Sequence, residues 1–390
     1  MLSRRTFLRA LGVTGVAAAG AGLWRAASQH ALVPTSGPAF EPWRSWRARL
    51  DGSHLRGLLP AAILASSPHN TQPWRFEIGR DTLDVLADPD RALGPFDPFQ
   101  RELHIGLGAA VENLVLAAGL LGRGVDVQWL PTPGRPERAA RLRFSGRWSA
   151  PGWATMLGER HVNRSPYDGR PLTDVQRSAL LACVSGERPV FRLLDAGSEA
   201  GRRFGEETLD ATRFITEDRE MASVTMRWMR HDWGEIQRRR DGITLGCAGL
   251  PPAVRVLATL APPLPASQMH AGWIRGTEEG LRSSPAYAIL SVPDVDDRRG
   301  QLEVGRLWQR LHVRATSMGL SAQPLNQWME RFDRERQLGT PSRATLGAAR
   351  VLGRSDLRPT FAFRIGVAPQ SALPSPRRSV EAVSCDVEAL

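Results

Sequence analysis

The sequence of 390 residues predicts an α+β fold made of two fused halves. One indication is that segments with the strict alternation of strands lie between segments with the apolar spacing of helices. A second is that the helical pattern of residues 106–122 recurs at residues 305–319 with a constant offset of 197. The length also exceeds that of one ordinary domain. We therefore expect a first half over residues 41–150 and a second half over residues 151–383.

The elements of the first half follow from its apolar pattern. A segment rich in Trp and Arg comes first, at residues 41–52. The later elements are, in order, a helical run over 58–65, a strand pair over 76–87 with a turn at Gly79 and Arg80, a helix over 106–122 that stops at a glycine, and strands over 125–130 and 140–144. A stretch rich in Gly, Pro and Trp at residues 146–153 ends this half.

The second half carries the repeated helix. Four residues match their counterparts on the packing face and at the helix stop, namely Gly305 with Gly108, Leu311 with Leu114, Ala315 with Ala118, and Gly319 with Gly122. An internal duplication explains these matches most simply, and a chance alignment of two amphipathic helices is the alternative. A strand is expected over residues 360–367. Residues 228–267 are expected to form an insertion, which is either a lid or a surface excursion.

Composition and residue spacing exclude several classes of function. The apolar fraction of 42% is sufficient for a packed core. The formal charge is +11 and every basic residue is Arg, but the arginines are scattered among acids, so we expect a solvated basic surface and no nucleic-acid partner. Cys183, Cys247 and Cys385 are too far apart for a disulfide framework or a metal motif. The eight histidines form no HExxH pattern, and no metal site is expected.

Residues 1–30 have the composition of a twin-arginine signal or anchor. Residues 3–8 spell SRRTFL, with the pair Arg4 and Arg5, and an uncharged stretch over residues 10–24 follows. A short amphipathic helix is the alternative. Because residues 26–31 offer no clean Ala-x-Ala site, cleavage of the signal stays open. We expect the twin-arginine export machinery as a partner and a periplasmic or other extracytoplasmic location, with membrane anchoring if the signal persists.

The sequence is organised around residues 66–76, which spell SSPHNTQPWRF. Pro68 ends the preceding apolar run, and four polar residues at 69–72 come just before a strand. Because Asn70 and Gln72 each offer a donor and an acceptor, the loop can present polar groups to one flat ligand rich in heteroatoms. Ordinary turn chemistry is the alternative for Ser-Pro-x-Asn.

This loop resembles that of the nitroreductase-like flavoproteins, whose pattern is Pro/Ser-Ser-x-x-Asn-x-Gln-Pro-Trp. The spelling HNTQPWRF is most similar to the Acg branch, whose members contain two nitroreductase-type halves in one chain. In that superfamily the loop of one subunit contacts FMN held mainly by the other. The resemblance implies a nitroreductase-like fold, one FMN per chain and a monomer that is an intrachain pseudo-dimer. It assigns Ser66, Ser67, Asn70 and Gln72 to FMN binding.

Residues 159–171, ERHVNRSPYDGRP, resemble the opening segment of the same family. Arg160, His161 and Arg164 match the positions that hold the phosphate and a ring oxygen of FMN. The residue type suits this role, because Arg makes fork-shaped, charge-assisted bonds to phosphate. Val162 departs from the family, which commonly has Ser there, so one hydroxyl contact is lost. A capped helix with solvated arginines is the alternative.

Two later blocks complete the resemblance. Pro324, Leu325 and Asn326 match the flavin-edge loop, where the backbone and the Asn carboxamide would bond the pyrimidine part of the ring. Arg377 and Arg378 match a basic pair that returns to the phosphate. The first half has the polar loop but no opening segment, and the second half has the opening segment but no such loop. The resemblance therefore implies one site across the interface between the halves.

The function that the resemblance implies is that of an FMN-dependent oxidoreductase. Flavin N5 would accept hydride from NAD(P)H or another reductant and pass electrons to a nitroaromatic, quinone or similar acceptor. No side chain is assigned a catalytic role. A non-catalytic FMN-binding or storage protein is the alternative, favoured if the insertion covers the ring. An interaction protein on a degenerate flavin fold, without a cofactor, is the third hypothesis.

Overall fold

The computed structural model describes residues 24–344 and 347–387. The pair Arg4 and Arg5 lies outside the described residues, as does nearly all of the uncharged stretch at 10–24. Export through the twin-arginine route therefore stays a prediction.

The helices and strands are labelled in chain order. The helices are α1 (Glu41–Ser45), α2 (Leu59–Ala62), α3 (Arg101–Leu120), α4 (Asp174–Ala182), α5 (Glu199–Glu217), α6 (Arg219–Trp228), α7 (Trp233–Arg239), α8 (Pro252–Leu260), α9 (Ala266–Ser283), α10 (Arg298–Ser317), α11 (Gln327–Gln337) and α12 (Ala348–Leu352). The strands are β1 (Trp74–Ile78), β2 (Leu83–Ala87), β3 (Arg123–Trp129), β4 (Arg138–Arg147), β5 (Val190–Asp195), β6 (Met229–Arg230), β7 (Ile243–Thr244), β8 (Ala286–Val292), β9 (Ser321–Pro324), β10 (Arg358–Gly366) and β11 (Ser384–Asp386).

The strands form two main sheets, one for each half. Their orders are β11-β1-β2-β4-β3 and β5-β8-β10-β9. The first sheet is antiparallel except at its edge, where β11 pairs parallel to β1 with Ser384 opposite Phe76. Because β10 belongs to the second sheet and β11 to the first, the chain between Gly366 and Ser384 must cross from one half to the other. This crossing segment carries Arg377.

Two long helices, α3 and α10, pack against each other. They lie between the apolar core of the first sheet and that of the second. His104 Nδ1 of α3 lies 2.7 Å from Gln301 Oε1 of α10, and Gln309 Nε2 of α10 donates to Asn113 Oδ1 of α3 at 2.8 Å. By length and composition α3 could cross a membrane, but 89% of its apolar window is buried in the protein. Its apolar character is accounted for by its place in the core, where Leu107, Val111 and other α3 residues belong to the largest buried cluster.

The predicted elements are confirmed with shifts in their ends. The strands expected at 76–87, 125–130, 140–144 and 360–367 are found as β1 with β2, β3, β4 and β10. The paired helices begin earlier than predicted, at Arg101 instead of 106 and at Arg298 instead of 305. Polar side chains such as Arg101, Glu102 and His104 are buried in that first turn, and an apolar pattern cannot reveal a buried turn made of polar residues.

Candidate functional site

The polar loop after α2 is held in an unusual backbone conformation. Residues Pro68–Asn70 form a single turn of 3-10 helix. His69, Asn70 and Gln72 have φ angles of 48°, 54° and 53°, in the left-handed region that residues other than Gly adopt at a cost. Such strain persists only where surrounding contacts impose it, and it is concentrated at functional sites.

The two serines of the loop fix its start. Ser66 Oγ accepts a hydrogen bond from Trp308 Nε1 of α10 at 2.7 Å and donates to Gln309 Oε1 at 3.2 Å. Ser67 Oγ accepts from the backbone N–H of Gln72 at 2.9 Å. The loop of the first half is therefore seated on the central helix of the second half.

The side chain of Asn70 joins three separate segments. Its Nδ2 donates to the carbonyl oxygen of Gly242 at 3.1 Å and to that of Pro376 at 3.0 Å. Its Oδ1 accepts from Arg377 Nη1. The carboxamide thus ties the loop to the predicted insertion and to the crossing segment.

Gln72, like Asn70, bonds to segments that are distant in sequence, but its partners are different residues. It is fully buried, its Nε2 donates to the carbonyl oxygen of Arg240 at 2.8 Å, and its Oε1 accepts from the backbone N–H of Arg378 at 2.8 Å. Gln72 therefore connects the first-half loop to the insertion and to the crossing segment, and its assignment to FMN binding stays a prediction.

The opening segment of the second half approaches the loop from the other side. Val162 forms an isolated parallel bridge with Ala322 at the start of β9, which fixes the segment to the second sheet. Arg160 Nη2 donates to the carbonyl oxygen of Leu64 at 3.0 Å, just before the loop of the first half. Arg164 Nη1 donates to the carbonyl oxygen of Cys247 at 3.0 Å.

Trp43 holds two of the basic groups in place. The guanidinium carbon of Arg377 lies 4.7 Å from the centre of the Trp43 ring, and that of Arg160 lies 5.6 Å from a Trp43 ring. The ring of His161 meets Trp43 edge-on at 4.4 Å between centroids. An aromatic face attracts cations and so orders the two guanidinium groups without neutralising them.

These side chains surround one cavity of about 60 Å³. Its polar wall is formed by Ser66, Ser67, His69, Asn70, Arg160, His161, Arg164, Ser375 and Arg377, and the rest of the wall by Val162, Gly242, Ile243, Cys247 and Leu373. The volume is enough for several water molecules or an anion of phosphate size. Both halves, the predicted insertion and the crossing segment contribute to it.

The cavity is strongly basic. Within the described chain no Asp or Glu lines it. Burial lowers the pKa of Arg160 to about 10 and lowers the pKa of Arg164. Burial and then the charge of Arg160 lower the pKa of Arg377. The Nε atoms of Arg160 and Arg377 are buried and have no hydrogen-bond partner among the described residues. An anion at this point would satisfy these donors and offset the cost of burying the charges.

The histidines of the site are uncharged at neutral pH. Burial, followed by the charges of Arg160 and Arg377, lowers the pKa of His161 to about 3. Burial and then Arg164 lower the pKa of His69 to about 4. The positive charge of the cavity therefore comes from the arginines alone.

Five of the predicted site residues do not line this cavity, namely Gln72, Pro324, Leu325, Asn326 and Arg378. The backbone N–H of Leu325 donates to the carbonyl oxygen of Ala362 at 2.8 Å, and Asn326 Oδ1 accepts from the N–H of Ala362 at 2.9 Å. This part of the predicted flavin-edge loop fastens the start of α11 to β10. The assignment of these residues to FMN binding stays a prediction.

Arg378 also differs from its neighbour Arg377. Its Nη1 lies 3.7 Å from Asp88 Oδ2, whereas the charge contacts of Arg377 include no carboxylate among the described residues. The two arginines of the basic pair therefore occupy different electrostatic environments.

Several residues in the cavity wall and beside it were not predicted from the sequence. Trp43 lies in the Trp- and Arg-rich segment that precedes the loop, and composition alone gives it no role. Gly242, Ile243 and Cys247 belong to the insertion, whose distance from the loop along the sequence hides the contact. Gly249 of the insertion lies against the backbone of Arg164, and its φ of +75° and this contact leave no room for a side chain. No cluster of His, Cys, Asp or Glu suited to a metal occurs in residues 24–344 and 347–387.

Comparison with known proteins places these features in context. No protein-family model matches the chain. A protein of Mycobacterium tuberculosis named as an NAD(P)H nitroreductase, Rv3131, is 24% identical over 342 residues, which span 85% of this chain and 91% of that protein. A second, named as the NAD(P)H nitroreductase PigM of Serratia, is 25% identical over 358 residues, or 83% of this chain and 91% of that protein. The M. tuberculosis protein named acg is 28% identical over 137 residues, 34% of this chain and 41% of that protein.

Among solved structures, the FMN-dependent nitroreductase NfnB of Mycobacterium smegmatis, in complex with NADPH, is 12% identical. The match covers 58% of this chain and 93% of that chain with a TM-score of 0.38. Two of the three sequence relatives extend over most of the chain. In sequence, therefore, the chain is similar over most of its length to proteins named as NAD(P)H nitroreductases, and over about a third of its length to the protein named acg.

Proposed function

We propose that the chain is an FMN-dependent oxidoreductase, and the observation that carries the proposal is the group of three arginines at the cavity. Arg160 and Arg377 are buried there and Arg164 is partly buried, and none of the three has a carboxylate partner in the described chain. Uncompensated buried charges are costly unless a counter-ion occupies the site when the protein works. The phosphate of FMN is a counter-ion of the right charge.

The donors present fit a phosphate group. A guanidinium offers several N–H donors in one plane, which match phosphate oxygens, and the Nε atoms of Arg160 and Arg377 are still without a partner in the described chain. The hydroxyl groups of Ser66 and Ser375 and the carboxamide of Asn70 lie on the same wall. The sequence blocks that resemble the flavoprotein loop and the opening segment are therefore the blocks that meet here.

The residues of the chain would position the cofactor and keep water away from it, and bound FMN would supply hydride and electron transfer at N5. Arg160, Arg164 and Arg377 would hold the phosphate. The neutral imidazoles of His69 and His161 would border the ligand without adding charge. No side chain of the cavity is assigned a proton-transfer role. We propose NAD(P)H as the reductant, as the names of the sequence relatives suggest, and a nitroaromatic, quinone or similar compound as the acceptor.

Room for the ring requires movement of the wall. A cavity of about 60 Å³ holds a phosphate but not a whole flavin. The wall segments most able to move are those without a place in the main sheets, at residues 242–247 and 373–376. Asn70 meets these segments through its two side-chain bonds to carbonyl oxygens and through its own carbonyl oxygen, which accepts from the N–H of Gly242 at 3.3 Å. None of these contacts is a pair within the two main sheets.

The contribution of the insertion to the cavity wall favours a second function, that of a non-catalytic protein that stores FMN. Gly242, Ile243 and Cys247 of the insertion form part of the cavity wall. If these residues stay over the bound ring, a reductant and an acceptor cannot reach it. A binder of this kind would hold FMN tightly and exchange electrons slowly.

The experiment that tests both functions uses the purified full chain. Denaturing release should yield one FMN per chain, and the visible spectrum should show a flavin. Anaerobic mixing with NADPH that bleaches the flavin band supports the oxidoreductase, whereas a stable band with every reductant tried supports storage. Absence of flavin, with no uptake of added FMN, would reject both functions.

The place of action is also proposed. We infer export through the twin-arginine route from SRRTFL at residues 3–8 and the uncharged stretch that follows. This route suits a protein that acquires a non-covalent cofactor before export.

A further inference from the structure

Helix α8 is apolar but has no buried residue. Val254 and Leu257, three positions apart and so on one helix face, are 47% and 67% exposed, and Leu264 just beyond the helix is 54% exposed. A nine-residue helix is marginal in water unless packing supports it. Within the part of the chain that the structure describes, this face has no partner, and such a contiguous apolar surface indicates an interaction site.

The beginning of the described chain lies beside this helix. Arg25 Nη2 donates to the carbonyl oxygen of Ala261, at the end of α8, at 3.4 Å. Trp24 is 72% exposed, and Leu32 and Val33 are 80% and 59% exposed. The two neighbouring segments thus supply six of the thirteen exposed large apolar side chains of the described residues.

Both segments are free of acidic residues. The chain has 40 Asp and Glu residues, yet none falls within residues 1–40 or within residues 242–277. These two stretches contain the arginines Arg4, Arg5, Arg9, Arg25, Arg255 and Arg275. The apolar surface therefore has only positive formal charges along its sequence.

We propose that Trp24, Val254, Leu257 and Leu264, together called the acid-free surface, dock on a bilayer that contains anionic phospholipid. Apolar side chains would enter the boundary between headgroups and acyl chains, and Arg25 and the other arginines of the two stretches would meet lipid phosphates.

The position of the surface favours a bilayer. The sequence runs from the uncharged stretch that begins at residue 10 directly into Trp24, and the bond from Arg25 to the carbonyl oxygen of Ala261 places this end of the described chain beside α8. One weak interfacial element rarely holds a protein on a membrane, whereas two neighbouring elements do.

Charge disfavours the other obvious occupant, a second copy of the chain. In a symmetric dimer the same patch faces itself. Two acid-free surfaces would bring arginines together, and neither stretch of sequence has an acidic residue of its own to pair them; like charges across an interface oppose binding. An anionic lipid surface supplies the missing negative charge.

The test is cosedimentation of the purified full chain with vesicles. Vesicles of phosphatidylcholine and phosphatidylglycerol should bind the chain, and binding should fall with added salt and on vesicles of phosphatidylcholine alone. The double variant Val254→Glu with Leu257→Glu should lower the bound fraction at limiting lipid by about tenfold, because two apolar groups lose their burial. Val175→Glu with Leu181→Glu, at 77% and 51% exposed positions on α4, adds the same two charges elsewhere; it is the matched control and should bind as the wild type does.

Three outcomes would overturn the proposal. The double variant binding like the wild type would mean that residues 1–23 alone hold the membrane. Equal binding to neutral vesicles would remove the anionic lipid as the partner. If the wild type does not bind vesicles but forms a dimer, and the double variant is a monomer, a second copy of the chain is the occupant. Circular dichroism checks that each variant folds, and Leu264→Glu, outside the helix, replaces the double variant if α8 unfolds.

Discussion

Gly108 of α3 and Gly305 of α10 make the same contact on opposite sides of the helix crossing. A Cβ atom on Gly108 would collide with the carbonyl oxygen of Leu302, and a Cβ atom on Gly305 would collide with the carbonyl oxygen of Ile105. Leu302 and Ile105 are themselves 197 positions apart, like the two glycines. The crossing therefore has pseudo-twofold symmetry, and its closeness depends on the absence of side chains at both points.

The first prediction is that Gly108→Ala and Gly305→Ala each destabilise the protein. The new methyl group meets backbone of the facing helix, which cannot rotate away, so the helices must separate. We expect the free energy of unfolding to fall by about 1–3 kcal/mol for each variant, as for other overpacked cores. Chemical denaturation followed by circular dichroism measures it.

Gly276→Ala is the control for this prediction. Gly276 lies within α9, and a Cβ atom there would have open space around it. Because Ala favours the helix over Gly, this variant should be neutral or more stable by up to about 1 kcal/mol. If Gly108→Ala behaved like Gly276→Ala, the close crossing would not be a requirement of the fold.

The crossing also shows how far sequence could predict the fold. The glycine matches at an offset of 197 indicated a repeated helix, because packing faces leave periodic traces. The pattern could not show that the glycine of each helix contacts the backbone of the other helix. Nor could it show β11 joining the first sheet, since three residues at the end of the chain, Ser384–Asp386, carry no pattern of their own.

The candidate site was predictable in part for a different reason. Arg160, Arg164 and Asn70 could be singled out because their neighbours resemble known blocks, and the structure brings all three to one cavity. These sequence blocks could not show which group each polar side chain hydrogen-bonds to. Asn70 was expected to face a ligand, but in the structure its carboxamide bonds to Gly242, Pro376 and Arg377. Hydrogen-bond satisfaction depends on distant segments and is invisible in a local motif.

The second prediction concerns Arg164. Arg164→Ala removes a partly buried cation from the cavity wall and with it a charge-assisted bond of about 1.5–3 kcal/mol to a phosphate. FMN affinity should fall about ten- to a hundredfold, measured by fluorescence titration of the flavin-free protein. Arg170→Ala is the control, because Arg170 is exposed and pairs with Asp168; its FMN affinity should not change. Equal affinity of the Arg164 variant and the wild type would remove Arg164 from the proposed phosphate site.

The third prediction is that Asn70→Ala weakens FMN binding from the other half of the chain. The variant loses two bonds to carbonyl oxygens and the acceptor for Arg377, so the crossing segment and the insertion are held less firmly. Neutral bonds contribute about 0.5–1.5 kcal/mol each, and the FMN affinity should fall by less than in Arg164→Ala. Normal binding by the Asn70 variant, with a normal fold by circular dichroism, would show that the first-half loop takes no part in the site.

The fourth prediction concerns stability in acid. In the folded chain the pKa of His161 is lowered from 6.5 to about 3, whereas the unfolded chain keeps an ordinary value. Between these two pKa values the unfolded state binds a proton that the folded state does not, so falling pH favours unfolding. The advantage of the wild type over His161→Gln in the free energy of unfolding should therefore shrink by about 2 kcal/mol between about pH 6.5 and pH 4.5. Groups such as Asp97, whose pKa burial raises to about 7, act in both proteins and cancel. A difference that does not vary with pH would place His161 in contact with water.

The last prediction separates the two arginines of the basic pair. Sequence resemblance assigned both Arg377 and Arg378 to the phosphate, but the structure gives them different surroundings. Arg377 lines the cavity, has an Nε atom without a partner among the described residues and lies over the ring of Trp43. Arg378 lies outside the cavity lining and approaches Asp88.

A phosphate in the cavity would therefore bond to Arg377 and not to Arg378. Arg377→Gln should weaken FMN binding about ten- to a hundredfold, as expected for the loss of one charge-assisted bond, and inorganic phosphate should compete with FMN less well in this variant. Arg378→Gln, a change of the same size one position along the chain, should alter FMN affinity by no more than about threefold, since its side chain lies outside the cavity lining and approaches Asp88. Isothermal titration of both flavin-free variants makes the comparison under one set of conditions. If Arg378→Gln lost as much affinity as Arg377→Gln, the phosphate would have to lie between the two side chains, and the cavity would be the wrong place for it.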